Sequence, residues 1–219
     1  MAAGRGERLG YPGPKAFVVV AGRPMLEWSI DALREMAGVE QIVVALPPGS
    51  DGAIDLPAGV LTVPGGEYRS QSVRAALGAA AGDPVIVHDA ARALATPRIF
   101  ADALAALTEH GCDAVVAAAP VTDTIKQARD GTVTRTLDRS TLWAAQTPQV
   151  FRRAALEQAL SASDALLAAA TDDAWLVEQA GGSVRIVPSP SENIKITTPG
   201  DLWVAETALR RRLGDRAGP

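Results

Sequence analysis

Cysteine is all but absent: Cys112 stands alone in a chain of 219 residues. One thiol excludes an intrachain disulfide, fits a reducing cytoplasm and reads as a small buried side chain. Excess positive charge is lacking too. Lys and Arg total 21 against 25 Asp and Glu, a net charge of -4, so the chain lacks the basic surface that general nucleic-acid binding needs. No apolar run is long enough to cross a bilayer, and the polar, glycine-rich start is not a secretory signal. A cytoplasmic protein that partners neither nucleic acid nor membrane is expected. A first strand is also missing. The glycine-rich loop at Met1–Lys15 is of the kind that leaves the end of a strand, yet the sequence opens inside it. The expectation is a short Val/Ile-rich strand encoded upstream of Met1, the alternative being a fold damaged by a true start there.

What is present alternates. Apolar runs at Gln41–Leu46, Val60–Val63, Pro84–His88, Asp113–Ala119 and Ser183–Val187 read as buried strands. Between them lie amphipathic helix patterns at Pro24–Met36, Arg69–Ala81, Pro97–His110, Arg152–Leu160, Asp172–Gln179 and Pro199–Leu213. Pro24, Pro97 and Pro199 stand where a first helical turn accepts proline. Strands alternating with helices predict an α/β fold: a Rossmann-like, mostly parallel sheet with helices on both faces. The chain, 47% hydrophobic, is read as one domain over residues 1–219. One stretch breaks the alternation. TIKQARDGTVTRTL flanks Asp130-Gly131 with polar strands, a hairpin signal. It predicts a projecting β-arm at about 121–149 that pairs with a second copy of the chain, because an isolated ribbon is marginal in water. The tail from Arg210 is expected to fray.

Candidate chemistry begins in the loop Ala2-Ala3-Gly4-Arg5-Gly6-Glu7-Arg8, with Pro14-Lys15 behind it. Glycine lets backbone amides approach an oxyanion, and Arg8 and Lys15 add two full charges. It is neither a Walker A loop nor GxGxxG. His88-Asp89-Ala90-Ala91-Arg92 follows a strand, where ligands of open α/β sheets bind. Asp89 suits Mg²⁺, which is held by few carboxylates plus substrate phosphates. His88 reads as structural. Gly65-Gly66-Glu67 leads into a helix bearing Ser72, which with the backbone amides could read a nucleobase edge. Lys195 sits between Ile194 and Ile196 at a strand end, placed for a phosphate. Arg153 at a helix start opposes the helix dipole unless an anion lies nearby. Thr171-Asp172-Asp173 reads as a helix N-cap with acidic first-turn residues, and nothing more.

In order along the chain stand AAGRGERLG, PKAF, GGEYRSQSV, VHDAARA, APVTDTIK, TPQVF, TDDA and NIKITTPGDL. Together they resemble the 2-C-methyl-D-erythritol 4-phosphate cytidylyltransferases over essentially the whole sequence. The resemblance implies a fold of the nucleotide-diphospho-sugar transferase type and a homodimer interlocked through the arm. It also implies cytidylyl transfer from CTP to 2-C-methyl-D-erythritol 4-phosphate, with release of pyrophosphate, using Mg²⁺ or another divalent cation, in the non-mevalonate isoprenoid pathway. By matching motif, Arg8, Lys15 and Lys195 are catalytic. Ala2, Ala3, Gly4, Gly6, Gly66, Glu67, Ser72 and Asp89 hold the nucleotide, Asp89 also the metal. Arg92, Thr136 and Arg153 bind the acceptor, Arg153 from the partner subunit. Ala93, Glu67 and Ser161 depart from the family's usual proline, aspartate and threonine. A ribitol 5-phosphate cytidylyltransferase, or a nucleotide-binding homologue impaired by a start at Met1, are the alternatives. A sugar-nucleotide pyrophosphorylase is disfavoured.

Overall fold

In a computed structural model, residues 1–4, 6, 9–11, 13–50 and 52–217 are described. Among them, ten strands and seven helices follow in chain order. A short hairpin, β1 (Val19–Val20) and β2 (Arg23–Pro24), leads into α1 (Met25–Arg34). Then come β3 (Ile42–Leu46), β4 (Val60–Pro64), α2 (Arg69–Ala79), β5 (Val85–Val87), α3 (Pro97–His110) and β6 (Ala114–Pro120). The arm is β7 (Lys126–Arg129) and β8 (Thr132–Thr136). After it follow β9 (Trp143–Phe151), α4 (Arg153–Leu160), α5 (Asp164–Ala169), α6 (Asp173–Gln179), β10 (Val184–Pro188) and α7 (Pro199–Ala217).

Local chemistry sets several boundaries. Pro97 opens α3, and Gly111, at φ +62°, closes it in the left-handed conformation that glycine adopts without a Cβ clash. Asp172 caps α6 by accepting from the Trp175 amide at 2.8 Å, as its sequence predicts. Asp130 and Gly131 both take positive φ, the twist a two-residue hairpin turn requires.

The sheet is divided. β10, β6, β9 and β5 form a four-stranded sheet in that order, and β3 and β4 a parallel pair. β6 runs parallel to β10, and β9 runs antiparallel to both β5 and β6. The helices cover two faces. Val73 and Leu77 of α2 pack with Leu156 of α4 and Leu176 of α6 under Val87. Leu26 and Ile30 of α1 pack over Val44 and Leu46. β6 is almost wholly alanine and valine and is buried on both faces.

The fold differs from the sequence reading at β9 and at the carboxyl-terminal helix. β9 is not among the expected strands, because buried Gln146, Thr147 and Gln149 interrupt its apolar pattern. Gln149 is satisfied there by donating to Asp172 and accepting from the Ala174 amide. Past Arg210, where the sequence reading expects a frayed tail, α7 runs on to Ala217, and Arg212 donates to Leu94 O at 2.9 Å just after buried Leu209. Where the sequence reading expects a missing first strand, β3 and β5 lie on either side of a gap. Among the described residues only Met1 and Ala2 cross it, through Met1 N to His88 O at 2.5 Å, Ala90 N to Met1 O at 3.0 Å and Ala2 N to Ala45 O at 3.0 Å.

Candidate active site

The carboxyl end of β5 delivers His88 and Asp89, the segment before α7 delivers Lys195, and the first turn of α2 delivers Arg69. Asp89 is the hub. Its Oδ2 takes Lys195 Nζ at 2.7 Å and its Oδ1 takes Arg69 Nε at 3.2 Å. Burial alone would raise this carboxyl, but the two cations outweigh it and hold Asp89 below the usual carboxylate range. Arg69 also pairs with Asp173. That carboxyl is 1% exposed, and one of its oxygens, Oδ1, has no partner among the described residues. Burial pushes Asp173 up, and Arg69 only partly offsets it.

The backbone around this hub is fixed by β9. Thr147 Oγ1 accepts from the Asp89 amide at 3.0 Å and lies 3.1 Å from His88 Nδ1. Burial, then the nearby Met1 ammonium, lower His88 to about 3, so it is a neutral structural ring set edge-on to Phe100. Asn193 Nδ2 donates to Thr147 O and Gln146 Oε1, and Ile196 N to Ala91 O. These bonds suspend Lys195 over Asp89. Arg92 Nη1 donates to Asn193 O at 2.6 Å, which locks the same segment from the other side.

The glycine loop starts beside this hub, where Met1 O accepts from the Ala90 amide. Lys15 N donates to Gly4 O, and Gly6 sits at φ +74° so close to Lys15 that a Cβ would lie 2.8 Å from Lys15 Cβ. The Ala2 amide is spent on Ala45 O, so it positions the loop. Arg8 lies outside the described residues. Beside Ala3, a Cβ on Gly65 would come within 2.5 Å of the Ala3 methyl. Gly66 N donates to Ser72 Oγ, which in turn donates to Tyr68 O, so buried Ser72 holds the turn, and Glu67 stands exposed.

Two acceptor candidates lie apart from this cluster. Thr136 is exposed on the arm, its hydroxyl accepting from Lys126 Nζ at 2.8 Å. Arg153 sits at the amino end of β5. Its amide donates to Asp83, and its guanidinium donates to Glu157, Gly82 O and Leu77 O. The anion its position calls for is supplied by this chain itself. Sequence reasoning assigns no role to Arg69 and Thr147 and takes Asp173 for an acidic first-turn residue and nothing more. The available signal is Arg69 itself, an arginine opposing the dipole in a first helical turn.

A glycine-rich loop and a lysine–aspartate cluster at the carboxyl end of β5, in a mixed α/β sheet, fit the class of nucleotidyltransferases. A family model described as IspD: 2-C-methyl-D-erythritol 4-phosphate cytidylyltransferase matches residues 1–211, and the chain belongs to that family. It is 46% identical over 207 residues to the Deinococcus radiodurans protein of that name, covering 94% of this chain and 85% of the other. It is 41% identical to the Gloeobacter violaceus one, covering 100% and 97%. The crystal structure of the Thermus thermophilus cytidylyltransferase superposes with a TM-score of 0.80 at 36% identity, covering 95% of this chain and 96% of that one.

Proposed function

We infer that this chain joins CTP to 2-C-methyl-D-erythritol 4-phosphate, giving 4-diphosphocytidyl-2-C-methyl-D-erythritol and pyrophosphate in the isoprenoid pathway its relatives serve. The observation that carries the reading is the convergence of Lys195, Arg69 and Asp89 next to the residue, Ala90, that anchors the start of the glycine loop. An oxygen of the acceptor phosphate forms a bond to the α-phosphorus, and the bond from that phosphorus to the β-phosphate bridging oxygen breaks. The nucleophile is already ionised, so no general base is needed. What the protein supplies is position and positive charge as the transition state spreads negative charge over the oxygens. Lys15 and Arg8 hold the triphosphate, Lys195 neutralises the α-phosphate, and the backbone of Ala3, Gly4 and Gly6 cradles the chain of phosphates. Gly66, Glu67 and Ser72 border the cytosine, with Ser72 acting by shaping the turn.

Mg²⁺ fits at Asp89. Among the described residues no three of His, Cys, Asp and Glu converge to hold an ion unaided, and one carboxylate suffices where substrate phosphates complete the shell. Such an ion supplies charge neutralisation at the phosphates. Arg92 is the acceptor candidate nearest the cluster, its guanidinium donating to Asn193 O and Ala145 O. Thr136 and Arg153 would serve only from a second copy of the chain. The arm supports a homodimer, since every residue of β7 and β8 is exposed and a lone ribbon gains little from its own packing. Arg153 fits less well, its guanidinium being engaged within its own subunit. Residues 1–219 are read as one domain with the arm as a subregion. No helix of the described residues is long and apolar enough to cross a membrane, and a cytoplasmic location is proposed. The relatives' names favour methylerythritol phosphate over ribitol 5-phosphate.

The test is pyrophosphate release from CTP and Mg²⁺ with each acceptor in parallel. Release with methylerythritol phosphate alone is expected; release with ribitol 5-phosphate alone would overturn the assignment.

A further inference from the structure

The turn that leads from β4 into α2 spends its backbone donors on the protein itself. Gly65 N donates to Leu46 O at 2.6 Å and Gly66 N to Ser72 Oγ at 3.0 Å. Glu67 N and Tyr68 N both donate to the side-chain oxygen of Gln71, at 2.9 and 3.3 Å. Only the oxygen of a side-chain amide accepts, so these two donors fix which way Gln71 is turned. Four successive N–H groups, 65 to 68, are thereby taken. What the turn has left to offer a ligand is acceptors: carbonyl oxygens, each with two lone pairs, and the exposed Glu67 carboxylate.

Gln71 does more here than cap a helix. A glutamine at the third helical position reaches back to the amide of the N-cap residue, in this helix Tyr68. The shorter of its two bonds goes one residue further out, to Glu67. Its side chain also fills the turn. A Cβ on Gly66 would lie 2.4 Å from Gln71 Cβ and 2.8 Å from Gln71 Oε1. Gly66 is not among the glycines with positive φ. Its bare Cα is therefore required by the approach of Gln71, not by its own backbone conformation.

Pyrimidines differ in what they present to such a surface. Cytosine carries an exocyclic amine, a donor, where uracil carries a carbonyl, an acceptor. We propose that Gln71 is a positioning residue for base selection: by engaging the Glu67 and Tyr68 amides it leaves the turn an acceptor surface, which favours a base with an exocyclic amine over one with a carbonyl at that position. The proposal rests on the reading that Gly66, Glu67 and Ser72 border the base, and it names what gives that border its preference.

The test compares the parent chain with Gln71→Met, which keeps the length but has no oxygen acceptor, and Gln71→Glu, which keeps an acceptor oxygen and suits a helix N-terminus. The readouts are the Kd values of CTP and UTP by titration calorimetry with Mg²⁺, the KM of methylerythritol phosphate, and Tm. Gln71→Met is expected to lower the preference for CTP over UTP by about 10-fold, because the released amides meet the uracil carbonyl and not the cytosine amine. The acceptor KM should not move, and Gln71→Glu should restore the parent preference. A lower Tm for Gln71→Met with the preference intact would reduce Gln71 to a helix cap and overturn the proposal. So would equal weakening of CTP and UTP, or a Gln71→Glu chain with parental Tm and no restored preference. A parent that binds CTP yet releases no pyrophosphate would sink the functional reading alone, and the CTP-to-UTP comparison would still decide the role of Gln71. A parent that binds neither nucleotide would overturn both.

Discussion

The Lys195 ammonium lies 2.7 Å from one carboxylate oxygen of Asp89, while Arg69 takes the other. Lys195 is therefore held in place before any nucleotide arrives, with 43% of its side chain exposed toward a ligand. Preorganised charge of this kind is the main source of rate in phosphoryl transfer, and removing one donor costs on the order of 10²–10³ in rate. Lys195→Ala should lose that much in kcat, and Lys15→Ala as much or more. Should Lys195 serve only to neutralise Asp89, the double variant Lys195→Ala with Asp89→Asn would regain activity. It is expected instead to regain stability alone, seen as recovered Tm with kcat still depressed.

The elements that deliver the site are legible in the sequence where burial is uniform. β3, β5, β6 and β10 are short apolar runs, and their bounds fall within about two residues of the sequence reading, the usual limit. β9 is hidden because its buried polar side chains serve specific partners. Gln149 meets Asp172 and Ala174, and Thr147 meets His88 and Asp89. Pattern reading sees hydrophobicity, not hydrogen-bond satisfaction. Asp89 and Lys195 are legible as motif residues, but their contact spans more than a hundred positions and needs the whole topology. Asp173 escapes for the same reason: helix caps are local, and its partner Arg69 lies 104 residues away.

The Arg69–Asp173 pair is the structural keel of the site. Asp173 is buried with Arg69 as its cation. Breaking a buried pair leaves an uncompensated charge, at a cost of about 3 kcal/mol. Arg69→Ala should therefore lower stability by about that amount in urea unfolding. Arg69→Leu with Asp173→Leu should recover most of it, yet turnover should stay low because Asp89 has lost its second cation. Full recovery of kcat in the double variant would reduce Arg69 to a structural role.

Glycine tolerance separates the site from the scaffold. A Cβ on Gly65 would lie 2.5 Å from the Ala3 methyl and 3.1 Å from Leu46 O. Gly65→Ala must displace the phosphate loop or the end of β3, and overpacking of this kind costs about 1–3 kcal/mol. A raised KM for CTP at near-normal acceptor KM is expected. Gly78, in α2, has open space where a Cβ would go, so Gly78→Ala should stabilise by about 0.5 kcal/mol. Steady-state kinetics and thermal melts on the two variants, made side by side, check both halves.

His88 makes stability fall on acidification. Its folded value of about 3 lies below the 6.5 of an unperturbed ring, because the site is buried and the Met1 ammonium faces it. Between those values the unfolded chain binds the proton and the folded chain does not. The stability contributed by the neutral ring is complete above about pH 6.5 and drains away as pH falls toward 3. At pH 5 the loss from this group alone is about 2 kcal/mol, from 1.5 pH units at about 1.36 kcal/mol each. The Met1 amine, lowered to about 6 from 8.0, adds a loss of the same sign between pH 8 and 6. Asp89, held low by Arg69 and Lys195, loses its contribution only below about pH 4. Urea unfolding at pH 7 and pH 5 reads the histidine and the Met1 amine together, and a variant without the ring separates them. His88→Gln keeps a polar group near Thr147 and cannot titrate, so it should be less stable at pH 7 but show a clearly shallower drop between the two pH values. Equal slopes for His88→Gln and the parent chain would mean the ring takes up its proton in the folded state.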